Sequence, residues 1–155
     1  MLEKYVTGKF NSYEEFVERL NISVPKNFNF AYDVVDNIAR RSPKKTALVW
    51  CNDSGREATF TFKKLNENVN KTANLLKSLG ITKGDPVMLM LKRRYEYWFC
   101  LLALHKLGAV AIPATHLLKA KDIIYRNNAA DIKMIICVNE PDITSQVDAA
   151  KKESR

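Results

Sequence analysis

The order of hydrophobic and polar positions predicts alternating helices and strands over most of the chain. Leu65, Val69 and Leu76 recur at helical spacing after Thr61, a residue type that caps helices, and predict a long helix that stops at Gly80. The continuous apolar run 85–91 is typical of a strand covered on both faces. The same patterns predict further helices over about 94–107, 119–130 and 143–152, and further strands over 109–113 and 133–138.

The part of the chain before residue 61 has a different pattern. Residues 1–29 are predicted to form an extension with a short helix, in which Ser12 and Glu15 have capping-box spacing. A helix over 30–41 and two short strands, 46–51 and 58–61, are expected to follow. Because turn-forming residues separate the two strands, they should pair as a hairpin.

This succession of elements predicts an α/β fold. Strands that alternate with helices form right-handed crossovers, and these give a parallel, doubly wound sheet with flanking helices. The N-terminal helix and the β-hairpin need not join that sheet. We therefore expect an N-terminal extension (1–29) and one domain (30–155).

Composition and charge fit a globular domain with an anionic partner. Of the 155 residues, 46% are hydrophobic and 27% are charged, which excludes a disordered chain. The net charge of +8 is concentrated after residue 60, where sixteen basic residues face nine acidic ones. Nucleic acid, a membrane surface and a phosphorylated ligand are all anionic partners that such a charge favours.

The cysteines indicate the redox compartment, and the longest apolar stretch raises the question of a membrane span. Cys51, Cys100 and Cys137 are too widely spaced for a zinc site or a disulfide framework, and each lies in an apolar stretch, so we expect three buried thiols in a reducing cytoplasm. The stretch 97–114 has only one charge, but Gly108 and Pro113 interrupt it, so a buried helix and strand are favoured over a membrane span.

Ligands of a doubly wound sheet bind at the carboxyl ends of its strands, and two loops there carry candidate residues. Lys92, Arg93 and Arg94 follow the strand 85–91 and are candidates for contact with an anion; the alternative is a solvated loop. Thr115 and His116 follow the strand 109–113 and are candidates for ligand contact, with loop and helix-cap hydrogen bonds as the alternative.

Well-defined catalytic motifs are absent from the sequence. It has no GxxxxGK[ST] or GxGxxG loop, no GxSxG elbow and no cluster with metal-ligand spacing, and its five glycines are scattered. Residue chemistry alone leaves two functions open: a free-standing anion- or nucleotide-binding α/β module, and a nucleic-acid-binding domain that uses the basic second half.

Three longer segments resemble a known family. They are DPVMLMLKRR (85–94), LALHKLGAVAIPATHLLK (102–119) and DIIYR (122–126), and they are similar to the N-terminal part of AMP-forming acyl-CoA synthetases, with the LGAVAIPATH run closest to the medium-chain branch. The segments KTALV (45–49) and FTFKKL (60–65) match upstream parts of the same family. The resemblance covers about residues 28–150.

The resemblance implies a fold, a reaction and ligands. Such enzymes couple a carboxylic acid to ATP, in the presence of Mg²⁺, and pass the acyl group to coenzyme A. The family's phosphate loop and catalytic residues have no counterpart in this sequence, so the resemblance implies an N-terminal fragment that is inactive alone, has no catalytic or metal-binding residue and binds no cofactor tightly. It places Thr115 and His116 near the substrate.

The resemblance also bears on partners. An enzyme that handles ATP and coenzyme A needs positive charge, so the charge no longer favours nucleic acid. A fragment would hold part of a larger sheet and leave strand edges and apolar surface exposed. Self-association, with domain swapping as one route, is therefore expected.

Overall fold

The computed structural model describes residues 5–154, so the first four residues of the expected extension and Arg155 lie outside the described residues. The helices are α1 (Tyr13–Arg19), a π-helical stretch (Ala31–Asp36) that continues into α2 (Asn37–Arg41), α3 (Phe62–Ser78), α4 (Glu96–Leu107), α5 (Ala120–Ala130) and α6 (Pro141–Glu153). The strands are β1 (Val6–Thr7), β2 (Asn21–Ile22), β3 (Thr46–Cys51), β4 (Glu57–Thr61), β5 (Pro86–Met90), β6 (Val110–Pro113) and β7 (Met134–Cys137).

A three-stranded parallel sheet with the order β6-β5-β7 organises the second half of the chain. Val87 of β5 lies opposite Ala111 of β6 on one side and Met134 of β7 on the other. The chain moves one way along the sheet between β5 and β6 and the other way between β6 and β7, and right-handed crossovers in opposite directions put their helices on opposite faces. The predicted α/β fold with a parallel, doubly wound sheet is thereby confirmed.

The core is centred on β5. Val87, Met88 and Met90 have no solvent exposure, as the continuous apolar run predicts for a strand covered on both faces. The helices contribute fully buried side chains from both sides, including Leu104 of α4 and Ile123 of α5. Burial of one such large aliphatic side chain is worth about 1.5–3 kcal/mol, which makes this layer the main source of stability.

Local caps define where the helices begin and end. The Thr61 hydroxyl accepts a hydrogen bond from the backbone N–H of Lys64 at 3.2 Å, and the Ser12 hydroxyl accepts one from Glu15 at 3.1 Å, so both predicted N-caps are confirmed. Gly108 ends α4 with φ +69°, a left-handed conformation that a residue with a Cβ adopts at a cost.

A buried lysine of α4 connects the π-helical stretch to α3. The Lys106 side chain is 5% exposed, and its Nζ lies 2.7 Å from a carboxylate oxygen of Asp36, 3.0 Å from Asn66 Oδ1 and 2.8 Å from Asn70 Oδ1. The ammonium also lies 5.0 Å from the centre of the Tyr32 ring. This Lys106 cluster joins the π-helical stretch, α3 and α4 through one charge.

A side-chain hydrogen bond from Asn29 also covers the end of α4. Asn29 Nδ2 donates to the backbone carbonyl of His105 at 2.6 Å, and this carbonyl in the last turn of α4 also accepts the N–H of Gly108 at 3.1 Å. His105 itself is half-buried, and this burial lowers the pKa of its imidazole.

Several features of the structure differ from the sequence-based expectations. Cys51 is exposed rather than buried, because alternation along β3 puts it on the same outer face as Val49, which is 67% exposed. Trp98 of α4, within the stretch 97–114 that was expected to be buried, is 47% exposed and does not belong to the core. The short antiparallel pair β1–β2 and the π-helical geometry of 31–36 were not predicted.

No helix within residues 5–154 has both the length and the apolar character required to cross a membrane.

Candidate functional site

A cleft of about 810 Å³ opens at the carboxyl ends of β5 and β6. Its floor includes Leu89, Leu91 and Pro113, and its wall is the tip of the β3–β4 hairpin. All five candidate residues identified from the sequence line this cleft: Lys92, Arg93, Arg94, Thr115 and His116. The rule that ligand sites of open α/β sheets lie at the strand ends therefore led to one concave site.

Backbone geometry fixes the position of the basic loop. Lys92 has φ +50°, which is unusual for a residue with a side chain and turns the chain sharply at the end of β5. The N–H of Arg94 donates to the carbonyl of Leu91 at 3.1 Å and closes the turn. Trp50 Nε1 donates to the carbonyl of Arg93 at 2.6 Å, so the hairpin holds the loop from above.

Aromatic packing anchors the hairpin beside this loop. The Trp50 and Tyr95 rings meet edge to face with centroids 5.1 Å apart, and Phe60 lies 5.0 Å from Tyr95 and 5.3 Å from Phe99. Such pairs contribute about 0.5–1.5 kcal/mol each beyond the area they bury. The aromatic cluster of Trp50, Phe60, Tyr95 and Phe99 therefore joins the antiparallel hairpin to α4 and keeps the cleft wall in place.

Glu140 pairs with two of the three cations of the basic loop. Its Oε2 accepts a short hydrogen bond from Lys92, and its Oε1 lies 3.3 Å from a guanidinium nitrogen of Arg94. The hydrogen bond from Lys92, followed by that from Arg94, holds the pKa of the Glu140 carboxyl below its ordinary value. Glu140 was not predicted as a site residue, although it lies in the loop after the third parallel strand, where a ligand site would be sought.

Two further cations in the cleft lack a carboxylate partner. Within residues 5–154, neither Arg93 nor Arg56 forms an ion pair, and both line the cleft. Arg56 comes from the hairpin and was missed by the sequence analysis, because hairpin and basic loop are distant in sequence. With Lys92 and Arg94 the cleft holds four cations, against the two carboxylates of Glu140 and Asp53, so its potential favours an anion.

The second predicted pair of residues makes modest contacts. Thr115 is exposed, and its hydroxyl accepts a 3.3 Å hydrogen bond from the N–H of Leu117, which is the loop-stabilising role that the sequence left as the alternative. His116 is half-buried in the cleft wall. Both residues line the same cleft as the basic loop, at the ends of adjacent strands.

In the described part of the chain, no three His, Cys, Asp or Glu side chains are grouped so that they could hold a metal ion.

Comparison with known proteins gives a consistent family. Residues 35–155 match the family described as "AMP-binding enzyme". The human protein named "Acyl-coenzyme A synthetase ACSM4, mitochondrial" is 37% identical over 132 residues, which are 81% of this chain and 23% of that protein. The rat protein named "Acyl-coenzyme A synthetase ACSM5, mitochondrial" is 40% identical over 119 residues, which are 73% of this chain and 21% of that protein.

Solved structures agree with the sequence relatives. The crystal structure of the N-terminal domain of FACL13 from Mycobacterium tuberculosis superposes with a TM-score of 0.71 at 27% identity, over 80% of this chain and 30% of that one. A fatty acyl CoA synthetase from the same organism gives a TM-score of 0.70 at 27% identity, over 79% of this chain and 23% of that one. The chain spans about a quarter of the length of the curated relatives that it matches. The match over residues 35–155 confirms the expected resemblance, and the chain belongs to the family of AMP-binding enzymes that includes the acyl-CoA synthetases.

Proposed function

We propose that this chain is an N-terminal part of an AMP-forming acyl-CoA synthetase. Such an enzyme joins a carboxylic acid to ATP, releases pyrophosphate and transfers the acyl group from AMP to the thiol of coenzyme A. The observation that carries the proposal is the family match over residues 35–155, which includes the loops that line the basic cleft. The medium-chain branch is proposed on the LGAVAIPATH run alone.

The proposed ligands of the cleft are the phosphate groups that ATP and coenzyme A carry. Activation by ATP replaces a poor leaving group with a good one, and Mg²⁺ with cationic side chains neutralises the phosphates. Arg93 and Arg56 are free of carboxylate partners among the described residues and fit an anionic ligand. The residues of this chain would contribute to such recognition through charge-assisted hydrogen bonds from their side chains.

Thr115 and His116 are proposed to lie near the acid substrate. They line the cleft at the end of the strand next to that of the basic loop, and a hydroxyl and an imidazole can both orient a carboxylate. No catalytic residue is proposed on this chain. We also propose that residues 1–29 are an extension to the domain 30–155, and that the protein works in the reducing cytoplasm, a setting compatible with its free thiols.

Assay of pyrophosphate exchange into ATP tests this proposal. We expect no exchange by this chain with any carboxylic acid, and acid-dependent exchange by a longer protein that continues the same reading frame. The longer protein should also form acyl-CoA. Exchange catalysed by this chain alone, or a longer protein that never activates a carboxylic acid, would contradict the proposal.

The basic cleft also supports a second candidate, a free-standing anion- or nucleotide-binding module. That candidate requires tight binding of a nucleotide by this chain alone, whereas the synthetase proposal requires only weak binding here. Calorimetric titration with ATP separates the two: a tight complex that weakens in Arg93→Gln favours the module.

Self-association is the remaining proposal. Within the described residues, β6 and β7 each have one unpaired edge, and Val110 of β6 is 49% exposed. Open parallel edges and exposed apolar side chains favour pairing with a second copy, including exchange of elements. Multi-angle light scattering at micromolar concentration should give at least a dimer, and a monodisperse monomer would refute this.

A further inference from the structure

We infer that Glu140 is an internal competitor in the cleft: its carboxylate occupies the position of an anionic ligand on Lys92 and Arg94, and a phosphate-bearing ligand binds by displacing it. The inference rests on the proposal that the cleft takes phosphate groups. It assigns a role in controlling affinity to a residue of the loop between β7 and α6.

Contact geometry is the first argument. The two oxygens of the Glu140 carboxylate are divided between two cations, with Oε2 bonded to Lys92 and Oε1 3.3 Å from Arg94. A phosphate can present two oxygens in the same way to a lysine and an arginine, with more negative charge. The carboxylate and a bound phosphate would therefore compete for the same donors.

The second argument is that Glu140 pairs with only two of the cations in the cleft. Glu140 engages Lys92 and Arg94 but leaves Arg93, between them in sequence, without an ion-pair partner among the described residues. Arg56 in the opposite wall is also unpaired within the same set of residues. A ligand with several negative charges can bind all four cations, whereas a carboxylate of the protein can satisfy only two, so the exchange favours a phosphate-bearing ligand over a monocarboxylate.

Glu140 is the N-cap residue of α6, and at this position its side chain can be displaced at little cost in free energy. Its backbone carbonyl accepts hydrogen bonds from the N–H groups of Ile143 and Thr144, each at 2.9 Å, while its side chain makes no cap hydrogen bond. The side chain can therefore leave the cations without loss of helix structure. After release it stays beside the N-terminus of α6, where the helix dipole favours a negative charge.

Titration with inorganic pyrophosphate at constant ionic strength tests the inference, with tryptophan fluorescence as the readout because Trp50 lines the cleft. Glu140→Gln should bind about fivefold more tightly than the parent chain, because it removes one partly exposed ion-pair competitor. Arg93→Gln should bind more weakly than the parent chain. Asp142→Asn is the matched control, since it removes the same charge two residues away on α6, and no ion pair of Asp142 occurs in the described residues. It should leave the affinity unchanged.

Each other outcome has a defined meaning. Equal affinities of Glu140→Gln and the parent chain, with weaker binding by Arg93→Gln, would overturn the role of Glu140 and leave the phosphate site intact. An equal gain in Asp142→Asn would show a general charge effect and overturn the inference. If Glu140→Gln gains as much affinity for acetate as for pyrophosphate, the assigned ligand class is wrong. No binding by any variant, with circular dichroism showing that each is folded, would remove both the phosphate site and the inference.

Discussion

Replacement of Lys106 by methionine should destabilise the protein by about 3 kcal/mol. In the Lys106 cluster the ammonium is 5% exposed and lies within 2.7–3.0 Å of oxygens from three side chains. Methionine fills most of the space of the aliphatic stem, so little packing is lost. The cost arises because the Asp36 carboxylate, 13% exposed, is left without a cation. Loss of one partner of a buried ion pair costs roughly 3–5 kcal/mol, and the residual exposure of Asp36 places this case at the lower end.

Urea unfolding followed by far-ultraviolet circular dichroism at neutral pH measures this cost. Lys64→Met is the control, because Lys64 forms an exposed pair with Glu67 at 3.7 Å, and such a pair is worth about 0.5 kcal/mol or less. The double variant with Asp36→Asn should recover part of the loss, since it removes the unpaired charge. If the free energy of unfolding of Lys106→Met lies within about 1 kcal/mol of that of Lys64→Met, at equal m-value, the Lys106 cluster does not stabilise the protein as expected.

Three other predictions follow from individual contacts. Asp85 accepts hydrogen bonds from Lys133 and Thr82 that lower its pKa to about 2. Its contribution to the free energy of unfolding should therefore be complete above about pH 4 and lost toward pH 2. In acid titrations followed by NMR, Asp85→Asn should lack this pH dependence. Gly108→Ala should cost about 1–2 kcal/mol in urea unfolding, because φ is +69° and a Cβ would lie 3.1 Å from Lys83; no loss would refute the assigned strain. Exposed Cys51 should react with a thiol reagent at neutral pH long before Cys100, whose pKa burial raises to about 11; equal rates would contradict this.

The parts of the fold that local sequence determines could be predicted. The β5 run and the Thr61 cap are local features: a continuous apolar segment identifies a strand covered on both faces, and a hydroxyl before a helical pattern identifies the start of a helix. Two-residue strands such as β1 carry too little periodicity to recognise. The exposed side of Cys51 depends on which face of the hairpin packs on α4, and only the tertiary structure determines that.

The candidate site could be predicted in position but not in its electrostatics. The rule for strand ends identified Lys92 and His116, which both line the cleft. The pairing of Lys92 with Glu140 joins residues 48 positions apart, and the contribution of Arg56 depends on the docking of the hairpin. No local sequence pattern shows that two distant residues are close in space. The sequence therefore identifies the cations of the loop but not which of them already pair with a carboxylate.

The strand order β6-β5-β7 has a consequence for the chain as it is synthesised. Among the three strands of this sheet, β5 is the most buried and leaves the ribosome first, but Val87 meets Ala111 and Met134 only after 24 and 47 further residues have been made. Until then its backbone donors and acceptors and its apolar side chains have no partner from the sheet, a condition that favours aggregation or chaperone binding. A pause in translation between β5 and β6 should therefore lower the yield of folded protein more than a pause after β7.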